Sequence, residues 1–363
     1  MAEHAVIMAG GGGTRLWPVS RRRRPKQSLR LFGERTLFQL AVDRVLPILP
    51  PERIWVVTAE DQADDLRSQS PEVPRDNFLI EPAPRGTASV VGLAAIALHR
   101  RDPECRMACL TADHYIGDVV AFQQILRAAF ALAAEGDLVT LGIRPTYPAT
   151  GFGYVERGEA RGEFEGTAAF RVRAFKEKPD RETAEAYIAS GRYSWNSGMF
   201  IWRADRILPE LERQMPALFG GLKEIEPALG TPQERQVLER VWNGLQKQTI
   251  DYGVMEGAKN VSLIAADRLE WWDLGSWERL FDIMKPDSSG NLVVGGNIRA
   301  LDTRGTLVFQ QAGEEPRLIV TLGVDNLVVV DAGDVVLVCA RDEVESIRRL
   351  VEQLEREGQD KYL

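Results

Sequence analysis

The chain has 363 residues, a net charge of -8 at pH 7 and 44% hydrophobic residues, enough for a main domain plus a smaller one because single cores stop growing at about 250 to 300 residues. The acidic balance argues against general nucleic-acid binding, and Cys105, Cys109 and Cys339 give neither a disulfide framework nor a metal-ligand spacing. No apolar run approaches a membrane span and the first residues lack a signal-peptide pattern, so a cytoplasmic protein without a membrane partner is expected.

The apolar run at residues 5–9 predicts a first strand. It leads directly into Gly10-Gly11-Gly12-Gly13-Thr14-Arg15-Leu16-Trp17-Pro18, closed by Pro25-Lys26-Gln27. Four glycines in succession remove every Cβ where the backbone must turn, so N–H groups can surround a phosphate, and Arg15 and Lys26 add positive charge beside them. A plain flexible turn would need the glycines but not these cations. A Walker-type loop requires Lys and then Ser or Thr after its last glycine, where Thr14-Arg15 stands. A dinucleotide fingerprint wants spaced glycines opening a helix; Glu34 roughly fits its distal acid, but Trp17-Pro18 disfavours an immediate helix. A nucleotide is therefore expected, in a loop of neither type. The basic run from Arg21 to Arg24 reads as a solvated surface that could also attract a polyphosphate.

Further strands are expected at residues 54–58, 78–81, 107–110 and 138–143, and helices at 36–46, 87–101 and 119–134. Such alternation predicts an α/β fold with a parallel sheet covered on both faces. Ligands in these sheets lie outside the carboxyl ends of the strands. The glycine loop, Glu81 and Asp113 all fall just past strand ends, so one cleft is expected to collect them. Strands at 151–155 and 170–175, a helix at 180–190 and a helical region at 204–257 follow. After Pro286-Asp287-Ser288-Ser289-Gly290 the texture changes to short Val/Leu/Ile runs broken by Gly, Asp and Asn, then a charged helix. The division expected is 1–286 and a small β domain with a terminal helix at 287–363.

Of 45 basic residues only 8 are lysines, yet Lys26, Lys176 and Lys178 fall inside motifs. An ammonium meets phosphate as a point charge where a guanidinium forks across it. Taken alone, Asp113 reads equally as an acid capping the next helix, Asp273 as a turn acid before Gly275, Glu177 as a solvent-facing strand residue and Asn196 as a turn former. With His4, His99 and His114 the only histidines, no Ser/His/Asp arrangement is visible.

These motifs together resemble the mannose-1-phosphate guanylyltransferase family of sugar nucleotidyltransferases. The blocks that carry the resemblance are the glycine signature with Pro25-Lys26-Gln27, Glu81-Pro82, Ala112-Asp113-His114, Thr150-Gly151-Phe152-Gly153-Tyr154, Phe175-Lys176-Glu177-Lys178-Pro179, Trp195-Asn196-Ser197-Gly198-Met199-Phe200, Asp251-Tyr252 and Trp272-Asp273-Leu274-Gly275. It implies a Rossmann-like nucleotidyltransferase domain with a mostly parallel central sheet, then a small left-handed β-helix-like domain and a C-terminal helix. A single activity is expected, since residues to 363 leave no room for a further isomerase domain. The implied reaction joins GTP and mannose 1-phosphate into GDP-mannose and pyrophosphate with Mg2+ as cofactor, and needs no protein nucleophile. Asp113 and Asp273 would hold the metal. Gly10, Gly11, Gly13, Thr14, Arg15, Lys26, Glu81 and Thr87 would bind the nucleotide; Gly151, Glu177, Lys178 and Asn196 would bind the sugar phosphate. A homodimer is one role open to the β domain, cover for the sheet the other. Gly86, where the family often has Asn, Thr111, where it often has Pro, and Ser28, where Phe is common, depart from the pattern, and Gly86 bears most on base selectivity.

Overall fold

A computed structural model describes residues 1–11, 13–313 and 317–363; Gly12 of the glycine run lies outside them. Strands in chain order are β1 (Glu3–Ala9), β2 (Ile54–Ala59), β3 (Phe78–Glu81), β4 (Arg106–Thr111), β5 (His114–Ile116), β6 (Leu138–Ile143), β7 (Gly153–Phe164), β8 (Thr167–Glu177), β9 (Tyr193–Arg203), β10 (Val261–Ala265), β11 (Trp271–Asp273), β12 (Leu292–Val294), β13 (Ile298–Leu301), β14 (Leu307–Gln310), β15 (Ile319–Leu322), β16 (Leu327–Asp331) and β17 (Val336–Ala340). Helices are α1 (Leu37–Asp43), α2 (Glu60–Gln69), α3 (Thr87–His99), α4 (Val119–Ala134), α5 (Arg181–Ser190), α6 (Ala204–Gln214), α7 (Pro216–Ile225), α8 (Glu234–Trp242), α9 (Leu280–Ile283) and α10 (Ile347–Arg356). The chain forms two compact units that interleave along the sequence. Residues 1–10, 38–112 and 116–271 make one; residues 11–37, 113–115 and 272–363 make the other.

The first unit is built on a nine-stranded sheet of order β3-β2-β1-β4-β9-β6-β10-β8-β7. The pairings of β1 with β2 and β4, of β2 with β3, and of β6 with β10 are parallel, and only β8 and β9 run against the other seven strands. All six residues of β2 are buried, as expected for a strand covered on both faces. In α3 every residue from Ala88 to Leu98 is buried, which explains its continuous apolar sequence. Helix starts follow local chemistry: the Asp118 carboxylate accepts from the Ala121 amide at 2.8 Å at the head of α4, and Asp180 accepts from Thr183 at 2.8 Å at the head of α5. Gly191, with φ 66°, ends α5.

Four elements of this unit differ from the sequence expectation. The helix expected at 36–46 is α1 alone, relaxing into turns after Asp43. Helix α2 is so polar that only Gln62, Ala63 and Leu66 are buried, and its periodicity gives little signal. Strands β9 and β10 enter the sheet centre, where β9 carries the Trp-Asn-Ser-Gly-Met-Phe block.

In the second unit β12, β14 and β16 are stacked in parallel register and β17 closes the sheet antiparallel; β13 and β15 form a separate parallel pair. This is a β-helix-like stack of short coils. All of β14 is buried, and Ile298, Val308 and Val329 pack together between the coils. The corners are set by side chains: Asn291 donates to the Thr303 carbonyl at 2.8 Å and accepts from the Thr306 amide at 3.1 Å. Residues 11–37 fold onto this same unit. The Trp17 indole donates to the Tyr362 carbonyl at 2.7 Å, the Trp277 indole donates to the Trp17 carbonyl at 3.0 Å, and Trp277 packs on Phe309. Leu-Trp-Pro in the signature is thus an anchor for the loop.

Candidate active site

In the second unit, the Lys26 ammonium donates to Asp113 Oδ2 at 2.9 Å and to Asp273 Oδ1 at 3.0 Å. The Lys26 side chain is 8% exposed, those of Asp113 and Asp273 38% and 27%. Burial opposes ionisation of both aspartates, but the ammonium and the nearby His114 outweigh it and hold both carboxyls below the usual range; burial also opposes the charge on Lys26, and the two carboxylates reverse that and raise its pKa. Asp113 caps no helix, because Asp118 has that role. Two hard carboxylate groups converging on one cation are a donor set suited to magnesium, which takes one or two carboxylates and completes its shell with water and phosphate. Among the described residues no group of three or more His, Cys, Asp or Glu side chains is arranged for a metal, so any ion here would rest on this pair.

Glycine makes the loop possible at one point. Gly13 has φ 49°, and a Cβ there would stand 2.6 Å from the Cβ of Lys26. A Cβ on Gly275 would stand 3.2 Å from the Arg15 guanidinium, so Arg15 lies against the Trp-Asp-Leu-Gly motif. Thr14 opens a short 3-10 turn through Leu16. Gly11, with φ 109°, faces open space. Arg21 pairs with Asp334, and Arg22 with Glu355 and Asp360, so half of the basic run ties the loop to the C-terminal segment.

In the first unit, two groups gather at strand ends. At the end of β3, Glu81 is 3% exposed, its Oε2 has no hydrogen-bond partner, and burial pushes its carboxyl up to about 7. A Cβ on Gly10, at the end of β1, would lie 3.0 Å from Glu81 Oε1. Beside it, Thr87 Oγ1 accepts from the Ile250 amide at 2.9 Å, and the Gln248 amide donates to the Arg85 carbonyl at 3.1 Å. Gly86 has φ 85°, and a Cβ there would lie 2.3 Å from the Gln248 carbonyl oxygen. Backbone of the 242–250 segment therefore occupies the space that an Asn at this position would need.

The second group centres on Asn196 in β9, whose Oδ1 accepts from Thr140 Oγ1 and the Gly198 amide at 3.1 Å each, and whose Nδ2 donates to Asp251 at 2.8 Å. Glu177 ends β8 with a buried, unpartnered Oε2, and a Cβ on Gly153 would stand 2.2 Å from that oxygen. Burial first, then the charge of Asp251, push the Glu177 carboxyl up to about 7. Lys178 adopts φ 49°, a left-handed conformation unusual for a non-glycine residue, donates its amide to the Phe152 carbonyl at 3.2 Å, and sets its ammonium 3.6 Å from Glu177. Gly151 stands in open space apart from these contacts. Asp251, quoted only as part of a motif, emerges as the group that orients Asn196; burial raises its pKa.

The fold and the two kinds of site, a carboxylate pair about a cation and buried acceptors at strand ends, define a nucleotidyltransferase. The nucleotidyl transferase family model matches residues 4–290, and a MannoseP isomerase/GMP-like beta-helix domain model matches residues 296–354. A mannose-1-phosphate guanylyltransferase of Escherichia coli (strain K12) is 37% identical over 99% of this chain and 75% of its own length. The xanthan biosynthesis protein XanB of Xanthomonas campestris pv. campestris (strain B100) is 36% identical over 97% of this chain and 73% of its own. The crystal structure of mannose-1-phosphate geranyltransferase from Thermus thermophilus superposes with a TM-score of 0.86 at 37% identity, covering 98% of this chain and 100% of that one. The chain belongs to the nucleotidyl transferase family, among the mannose-1-phosphate guanylyltransferases. No helix of the described residues is long and apolar enough to cross a membrane.

Proposed function

We propose that the protein transfers GMP from GTP to α-D-mannose 1-phosphate, releasing pyrophosphate and forming GDP-mannose. The observation that carries this reading is the convergence of Asp113 and Asp273 on the Lys26 ammonium, joined to the full-length similarity to enzymes named for that activity. A phosphate oxygen of the sugar phosphate attacks the α-phosphorus of GTP, and the bond from that phosphorus to the bridging oxygen of pyrophosphate breaks in line. Both reactants are anionic, so positioning and positive charge carry the catalysis.

Lys26 and Arg15 hold the triphosphate, with Gly10, Gly11, Gly13 and Thr14 contributing backbone and hydroxyl contacts. Glu81 meets the guanine edge: adjacent N–H donors of guanine match a carboxylate that has an unsatisfied oxygen, and adenine offers no such pair. Thr87 lies toward the ribose. Glu177 and Asn196 receive mannose hydroxyls beside Gly151, and Lys178 neutralises the sugar phosphate. Nucleotidyl transferases are typically metal-dependent; Asp113 and Asp273 are the residues that would hold Mg2+, which when bound supplies charge neutralisation at phosphate oxygens. We assign catalysis to residues 1–286 and an accessory role to 287–363, whose exposed Leu301, Val320 and Leu322 support a homodimer testable by light scattering. A cytoplasmic site of action follows from the substrates.

Pyrophosphate release with four nucleoside triphosphates against several hexose 1-phosphates tests the reading. Turnover is expected with GTP, mannose 1-phosphate and magnesium; equal or better turnover with another base or hexose would overturn the assignment.

A further inference from the structure

Away from every residue assigned above, the first unit contains a cavity of ≈ 670 Å³, within the range of small-ligand pockets. Arg67, Arg75, Arg100 and Arg101 line it, against the carboxylates of Asp76 and Glu234. Arg67 is paired with Asp64, Arg100 donates to the backbone carbonyls of Glu226 and Leu229, and Glu234 accepts from the Gly230 amide at 2.6 Å. Arg75 and Arg101 have no carboxylate partner among the described residues. Arg101 is stacked over the Trp55 ring at 4.4 Å.

Two donors in this lining are unspent. Trp55 is only 2% exposed, yet its Nε1 is buried with no hydrogen-bond partner, and the Nε of Arg67 is in the same condition. A buried N–H without an acceptor is destabilising, and native folds leave few such groups. Both atoms are closed to solvent, so they mark strain in the wall of the cavity and are not contacts for a ligand inside it; the guanidinium forks that line the cavity match phosphate oxygens two at a time. An adjoining cavity of ≈ 420 Å³ shares Arg67, Phe78 and Glu234 and adds Glu60 and Glu239, both paired with Arg235, and Asp64, paired with Arg67; each carboxylate keeps lone pairs that a hydroxyl group can use.

We propose that this arginine pocket is a second ligand site for a phosphate ester of a hydroxyl-rich small molecule, its phosphate held by Arg75 and by Arg101 where it stacks on the Trp55 ring, whose resonance reports the contact, and its hydroxyls directed to the neighbouring carboxylates. The site is independent of the catalytic reading, and its test reads a different signal. The indole N–H resonance of Trp55, identified by its loss in Trp55→Phe, is followed while the full-length protein is titrated with glucose 6-phosphate, and separately with inorganic phosphate. A saturable shift is expected, with half-saturation at a concentration about tenfold lower for the ester, a difference equivalent to ~1.4 kcal/mol. In Arg75→Ala/Arg101→Ala that shift disappears, while pyrophosphate release from GTP and mannose 1-phosphate is retained and shows the variant to be folded. A Trp55 resonance that stays in place, or a shift that survives the double substitution, overturns the site; equal half-saturation for the ester and inorganic phosphate overturns the hydroxyl-rich ligand.

Discussion

Replacing Glu177 by Gln removes one ionisation while nearly conserving shape, and its effect on stability is calculable. The carboxyl moves from an ordinary 4.5 to about 7, chiefly by burial and then by the charge of Asp251, with Lys178 pulling the other way. At ~1.4 kcal/mol per pH unit this is about 3 kcal/mol. Between 4.5 and 7 the unfolded chain has released the proton and the folded chain retains it, so stability falls as pH rises through this window and the full penalty stands above about 7. The attraction to Lys178 is already contained in that figure, and solvent reaching the half-exposed lysine and the partly open site reduces what the shift is worth in stability. Glu177→Gln without ligand is therefore expected to be more stable than the parent by on the order of 2 kcal/mol at pH 8.5 and nearly equal to it at pH 5. Melting temperatures of both proteins across that range measure the difference directly. A gap that does not change with pH, or a variant less stable at pH 8.5, refutes the account of Glu177 as a carboxylate charged at a cost. Its kcat/KM for mannose 1-phosphate should fall in the same samples, which separates binding function from stability.

Lys26→Met leaves Asp113 and Asp273 without their shared cation and should lower stability at pH 7 by roughly 1–3 kcal/mol, less than the ~3–5 kcal/mol of a fully buried pair because both aspartates keep some exposure. Since their folded pKa values are depressed, the gap from wild type is present above the unfolded carboxylate pKa and closes as pH falls through the folded values; a gap constant in acid would count against the ion-pair reading. Asp113→Asn or Asp273→Asn is expected to abolish magnesium-dependent turnover while the protein still folds, with a lowered melting temperature because each carboxylate is a partner of Lys26; near-normal activity would reject the metal assignment. Gly86→Asn, which restores the commoner residue, should destabilise by about 2 kcal/mol or more through the Gln248 contact and positive φ; an unchanged melting temperature would show that the 242–250 segment yields easily.

The parallel half of the sheet was legible because β2, β3 and β6 are short, mostly apolar runs between turn residues. Strand β9 was not, since Asn196, Ser197 and Gly198 interrupt its apolar pattern and its place between β4 and β6 is fixed only by tertiary pairing. Individual site motifs could be read, but partners could not. Nothing local to Lys26 announces that its ammonium is spent on Asp113 and Asp273, and nothing local to Gly86 announces the Gln248 carbonyl. Asp251 was visible as a motif, and only its 2.8 Å contact with Asn196 gives it a role.

The folding of residues 11–37 onto residues 272–363 bears on the order in which this protein is made. The glycine loop leaves the ribosome before its partners: the carboxylate of Asp273, the Trp277 indole and the Tyr362 carbonyl that hold Lys26 and Trp17 are synthesised much later. Until then the loop has no partner from these residues. The nascent chain thus carries the glycine loop unfinished until residues 272–363 have emerged, although its Lys26 was synthesised 247 residues before Asp273.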